Sequence, residues 1–193
     1  MANVHHPGTQ EKDSNVALNY LKEGNERFVS GNLHKWDHAD ARKVVSTQGQ
    51  KPFAVVLTCA DSRTPPETYF DQGIGNIFVV RNAGNFPDET ALGSIEFGAK
   101  HLGAAVIAVV GHNQCGAVIT AHSEATGLSD NLQNALDKIG EGVKGKANEE
   151  EAMCANIDVS VDIIKNNPVI KEAGTKVVGA VYDIGTGVVK FLE

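Results

Sequence analysis

Two short motifs, Cys59-Ala60-Asp61-Ser62-Arg63 and His112-Asn113-Gln114-Cys115, hold the residues of this chain best suited to chemistry. Two thiolates and one imidazole make a ligand set for a tetrahedral zinc ion with one position left over, which is what separates catalytic from structural zinc. Asp61 and Arg63 follow the first cysteine at two and four residues. On an extended segment all three side chains would point to the same side. A guanidinium so placed can hold the carboxylate in one orientation and keep it ionised. The carboxylate can then accept a proton from metal-bound water, or occupy the open metal position itself. A surface ion pair with no further role is the plainer reading of Asp61 and Arg63, and such pairs contribute little.

Each motif alone is a weak signal, because an isolated cysteine often serves as a small buried hydrophobe. Their joint occurrence, each closing a predicted strand, favours the metal. A phosphate-binding cradle is the competing reading of Cys59 and Arg63. Arg63 comes too soon after the cysteine for such a loop, and Pro65-Pro66 interrupts its backbone donors. Gly73-Ile74-Gly75 and Gly185-Thr186-Gly187 do not complete a dinucleotide fingerprint and read as turns. His5 and His6 read as tail residues, His122 as a helix surface residue, and Cys154 as half-buried.

The elements that must position these motifs can be traced from hydrophobic patterning. Phe53–Thr58, Ile77–Val80 and Ala104–Val110 are short apolar, β-branched-rich runs that read as buried strands. The first ends at Cys59 and the third at Gly111-His112. Asp13 or Ser14 can cap a helix carrying Ala17, Leu18, Leu21 and Phe28 at helical spacing, with Gly31 as its stop. Leu33–Lys51 reads as polar and irregular. Helices are expected over Thr90–Leu102, from Cys115 to Ala125, along Leu132, Leu136, Ile139 and Val143, and along Met153, Ile157, Val161 and Ile164. Lys176–Tyr182 and Val188–Leu192 form a terminal hairpin. The alternation predicts an α/β fold with a mostly parallel central sheet of about five strands, the last antiparallel at the edge, flanked by helices. The carboxyl ends of such strands are where ligands bind.

The chain has 193 residues, 41% hydrophobic and 21% charged, and is expected to form one domain over 1–193 with an N-terminal helical arm at about 14–36. A net charge of -7 without a basic patch excludes the electrostatic footprint of a nucleic-acid binder. No apolar run is long enough to span a membrane, and Met1–Asp13 lacks a secretory core. Three cysteines, two of them better used for a metal, argue for a reducing compartment and a cytoplasmic location.

The chain resembles the β-class carbonic anhydrases. The resemblance runs from Gly24-Asn25-Glu26-Arg27-Phe28 through the Cys59 motif and Phe78-Val79-Val80-Arg81-Asn82-Ala83-Gly84-Asn85. It continues through Gly111–Ala117 to Gly179-Ala180-Val181-Tyr182-Asp183. It implies one Zn2+ per chain on Cys59, His112 and Cys115, with Asp61 and Arg63 as the catalytic dyad. Asp61 would join the metal only in a closed state. The implied reaction is reversible hydration of carbon dioxide to bicarbonate and a proton through zinc-bound hydroxide, in a homodimer or higher assembly. A non-catalytic bicarbonate pocket known in some members uses a tryptophan where this chain has Val56, so that pocket is not expected. Phe70, Phe86 and Val80 are candidates for the substrate wall. Hydrolysis of carbon disulfide or carbonyl sulfide, and a zinc-binding protein without activity, are the rival readings.

Overall fold

The computed structural model describes residues 4–123 and 125–192. Its five-stranded sheet has the order β2-β1-β3-β4-β5. The strands are β1 (Ala54–Cys59), β2 (Ile77–Asn82), β3 (Val106–His112), β4 (Lys176–Tyr182) and β5 (Val189–Phe191). The first four run parallel, and β5 pairs antiparallel with β4 at one edge, as the patterning predicts. Every residue of β1 and β3 is buried, which explains why these strands read as continuous apolar runs rather than as alternations.

Successive side chains of β1 point to opposite faces. Val55, Leu57 and Cys59 join one core cluster with Ile139, Ile157 and Ile164. Ala54 and Val56 join the other, with Leu21, Tyr69 and Phe70. The first cluster is covered by α4 (Glu89–Glu96), α6 (Asp130–Val143) and α7 (Glu149–Asn166). The second is covered by α1 (Ser14–Ser30) and α3 (Pro66–Tyr69). Strand register aligns the functional ends. Thr58 lies opposite Val110, Cys59 opposite Asn82, and His112 opposite Tyr182, so both motifs emerge at the same border of the sheet.

The helix α1 begins where its cap predicts: Asp13 Oδ1 accepts from the backbone N–H of Asn15 at 2.8 Å. It ends at Gly31, whose φ of +72° is the left-handed stop that favours glycine. Its buried face lies on the chain's own sheet. Asn25 donates to the carbonyls of Tyr69 (3.0 Å) and Gly187 (2.8 Å) and accepts from Val189 N–H (2.8 Å). Gly24 sits flush on the loop after α3, where an added Cβ would come 1.9 Å from Phe70 O.

The structure departs from the patterning in four places. The supposedly irregular Leu33–Lys51 contains α2 (His38–Gln48), capped by Asp37. Only Ala41 of this helix is buried, and with the half-buried Val44 and Val45 it makes an apolar stripe of a single turn, too short to stand out from polar neighbours. Ahead of it, Trp36 Nε1 and His34 N–H donate to the Asp71 carboxylate, which also pairs with Arg27. The short α3 and α8 (Pro168–Ala173) each start on a proline at the first turn, a helix-start signal that the proline's breaker reading conceals. α5 (Gly116–His122) stops short of the expected Ala125, and Glu124 lies outside the described residues. His5 is no free tail. It is only 3% exposed, with its ring edge-on to Phe53 and its carbonyl accepting from Asn76. No helix among the described residues is long and apolar enough to cross a membrane.

Candidate metal centre

Cys59 is the last residue of β1, and the chain turns immediately after it. Thr64 N–H donates to Asp61 O at 3.0 Å, and Thr64 Oγ1 to Cys59 O at 3.2 Å. Asp61 and Arg63 therefore do not share a side with Cys59 through strand alternation, as an extended segment would require; a tight turn brings them together. The second motif follows β3. His112 is its last residue, Gln114 takes a left-handed φ of +55°, and Cys115 caps the start of α5.

These turns place one ligand atom each from Cys59, His112 and Cys115 within 4.8 Å of one another, all three side chains being buried. The two sulfurs lie 3.8 Å apart. His112 Nδ1 is 2.8 Å from the carbonyl of Asn113. A carbonyl only accepts, so Nδ1 carries the proton and Nε2 keeps its lone pair. That Nε2 is buried and has no hydrogen-bond partner among the described residues. Burying a polar acceptor without a partner is costly. Two sulfurs and an unspent imidazole nitrogen are the donor set that a borderline-soft cation such as zinc prefers.

The sulfur pair is electrostatically asymmetric. The hydrogen bond shared with Cys115, together with the backbone N–H of Gly84, pulls the Cys59 thiol below its ordinary range against the opposing effect of burial. The Cys59 sulfur and burial push Cys115 well above the ordinary thiol range, while the Ala117 and Val118 amides at the start of α5 act the other way. The two sulfurs thus compete for charge, and a cation bound between them would favour both as thiolates.

Arg63 grips Asp61 at both oxygens, with Nε to Oδ1 at 2.9 Å and Nη2 to Oδ2 at 2.7 Å. The backbone N–H of Arg63 donates to Oδ1 as well, at 2.9 Å. This grip holds the Asp61 carboxyl well below the usual carboxylate range. Oδ2 lies 4.0 Å from His112 Nε2. Arg63 Nη2 also reaches the Gln114 carbonyl at 3.2 Å, tying the two motif turns together. Arg81 supports the first turn from below, donating to Cys59 O (2.9 Å) and Asp61 O (2.7 Å). Gly84 N–H points at Cys59 Sγ (3.4 Å), and its carbonyl is anchored by Asn156 of α7.

A cleft of about 650 Å³ is lined by His112 and Cys115 together with Gln114, Val118, Glu150 and Met153 among others. The expected wall residues do not line it. Phe70 is fully buried on the opposite face of the sheet, stacked on Phe191. Val80 and Phe86 pack half-buried against the core that contains Cys59. Apolar character alone did not say which side of the sheet each would take. Arg81, Gly84 and Asn156 were not recognisable as supports from spacing, because they act through backbone carbonyls and amides. The parallel register of β2 with β1 is the signal that could have found Arg81, since it lies opposite Thr58.

A profile described as "Carbonic anhydrase" matches residues 54–189 of this chain. Carbonic anhydrase from Mycolicibacterium smegmatis is 34% identical over 185 residues, covering 89% of this chain and 90% of that protein. Carbonic anhydrase 2 of Mycobacterium tuberculosis is 50% identical over 107 residues, 55% of this chain. That match spans about half (51%) of the relative's length. Among solved structures, a tetrameric β-carbonic anhydrase from Sordaria macrospora superposes with a TM-score of 0.69 at 27% identity, covering 91% of this chain and 96% of that one. The chain therefore belongs to the β-class carbonic anhydrases, a family of lyases.

Proposed function

We propose that this protein catalyses reversible hydration of carbon dioxide at one zinc ion per chain, held by Cys59, His112 and Cys115, with Asp61 and Arg63 as the catalytic dyad. The observation that carries the reading is the placement of Asp61. Its Oδ2, fixed by Arg63, stands 4.0 Å from the unspent Nε2 of His112, one of the three residues that would hold the metal. A bound zinc ion would supply a water acidified to a pKa of about 7.

The chain's own residues do the rest. Asp61 Oδ2 still has a lone pair to accept a hydrogen bond from the nucleophile and so to orient it. Arg63 keeps the carboxylate ionised and, by donating to Gln114, keeps the two motif turns in register. Val118 and Met153 give the cleft an apolar side suited to a small apolar substrate, and Asn113, Glu150 and Asp183 give it a polar one. A closed state, in which Asp61 leaves Arg63 for the metal, would need both guanidinium bonds to break. Three free cysteines suit a reducing, cytoplasmic setting for this single domain. The reading is tested by carbon dioxide hydration with the purified protein; hydrolysis of carbon disulfide without hydration of carbon dioxide would contradict it.

We further propose a homodimer or a larger even assembly. The Sordaria macrospora relative is tetrameric. In the N-terminal arm Ala17 and Leu21 are spent on the chain's own core, while Val29 and Leu33 remain 46% and 53% exposed and available to a partner. Sedimentation at micromolar concentration should show a species of at least twice the chain mass. A monomer alone would refute this.

A further inference from the structure

We infer that Asn113 and Asp183 are positioning residues that fix the tautomer and the ring orientation of His112. This rests on the reading of His112 as a metal ligand and adds a specific support to it. Among the described residues the imidazole is oriented by a single hydrogen bond, from Nδ1–H to the carbonyl of Asn113 at 2.8 Å. That carbonyl directs the ring only if residue 113 is itself held. It is held at three further points, all supplied by β4 and the turn that follows it. Asn113 N–H donates to Tyr182 O at 3.3 Å. Asn113 Nδ2 donates to Asp183 Oδ2 at 2.7 Å, and Asn113 Oδ1 accepts from Ile184 N–H at 2.9 Å.

Asp183 is fixed in its turn. Its Oδ1 accepts from Thr186 N–H at 2.7 Å and from Thr186 Oγ1 at 2.8 Å. Both oxygens of Asp183 are thereby engaged, one by the turn and one by Asn113. A chain of bonds leads from the Asp183–Gly187 turn through the Asn113 side chain and backbone to Nδ1 of His112. At its far end is the buried, unpartnered Nε2. Partners that orient a ligating imidazole through its other nitrogen govern metal affinity. Here the immediate partner is a backbone carbonyl, and the side chains act one bond further out. The hairpin at the end of the chain is thus linked to the metal centre through Asn113.

Zinc affinity, measured by competition with a chromophoric chelator, tests this together with the absorption spectrum of the cobalt(II)-substituted protein. Asn113→Asp sets two carboxylates against each other without changing size, and should weaken zinc binding by about 10–100-fold and shift the cobalt bands. Asn113→Asp combined with Asp183→Asn restores a donor–acceptor pair with roles exchanged, and should recover affinity to within about threefold of the parent. A purely structural role for the pair would instead lower the urea midpoint while leaving affinity and cobalt bands as they were. Should Asn113→Asp fail to fold, Thr186→Ala loosens Asp183 from outside and must weaken zinc binding in the same direction. Unchanged zinc affinity in a folded single variant overturns the inference even if the parent binds zinc tightly. A parent protein that binds no zinc overturns the ligand reading itself, and this inference with it.

Discussion

Cys115→Ser is expected to strip the protein of its metal while leaving the fold intact. The sulfur at this position is one of two in a set of three candidate donors lying within 4.8 Å of one another. A serine hydroxyl does not ionise near neutral pH and is no substitute for a thiolate. The weakening should exceed the roughly 100-fold limit typical of losing an outer-shell partner. Hydration activity should fall to the level of metal-free protein. The same substitution is benign for the backbone, because Cys115 stands at the N-cap of α5 and makes no side-chain capping bond there. Serine is among the preferred N-cap residues. Elemental analysis of dialysed protein should therefore give about one zinc per chain for the parent and almost none for the variant. Circular dichroism of the two should agree. A variant that keeps its full complement of zinc would remove Cys115 from the ligand set.

Asp61→Asn should separate catalysis from metal binding. The substitution keeps the size of the side chain and removes the charge that Arg63 grips at 2.7 Å and 2.9 Å. An amide presents one oxygen, and its NH₂ group meets the guanidinium donor to donor. Orientation of the carboxylate and its ability to accept a proton are lost together. Hydration activity should drop by about 10²–10⁴, the scale of a positioned acid–base group. Zinc content should stay near the parent's, since the three protein ligands remain. Arg63→Ala should reduce activity similarly. The double variant should be little worse than either single one, because the two side chains act as one unit. Steady-state hydration kinetics with parallel metal analysis decide the matter: full activity in Asp61→Asn would reduce the pair to a structural contact.

How these residues became legible in the sequence differs from one to the next. Cys59, His112 and Cys115 are legible because each closes or follows a strand whose apolar run is unbroken, and strand ends converge in a parallel sheet. The order of the sheet was not legible, since hydrophobic runs do not say which strand neighbours which. Asp61 and Arg63 were found by spacing but for a geometric reason that does not hold: they meet across a tight turn rather than along an extended strand. The α2 helix is faint in the sequence because its apolar stripe is confined to Ala41, Val44 and Val45 among polar residues. His5 looked like a tail because its burial depends on Tyr20 and Phe53, which no local pattern connects to it. Asn113 and Asp183 stand 70 residues apart in the sequence, and only the pairing of His112 with Tyr182 brings them together.

Carbon dioxide hydration, followed by stopped-flow with a pH indicator, should be measured on one preparation in three states: as purified, stripped with a chelator, and reconstituted with one equivalent of zinc. The purified and reconstituted protein should hydrate carbon dioxide far faster than buffer alone, and the stripped protein should not. Hydration by fully stripped protein at the loaded rate, or zinc-loaded protein no faster than buffer, would contradict a zinc-dependent hydratase.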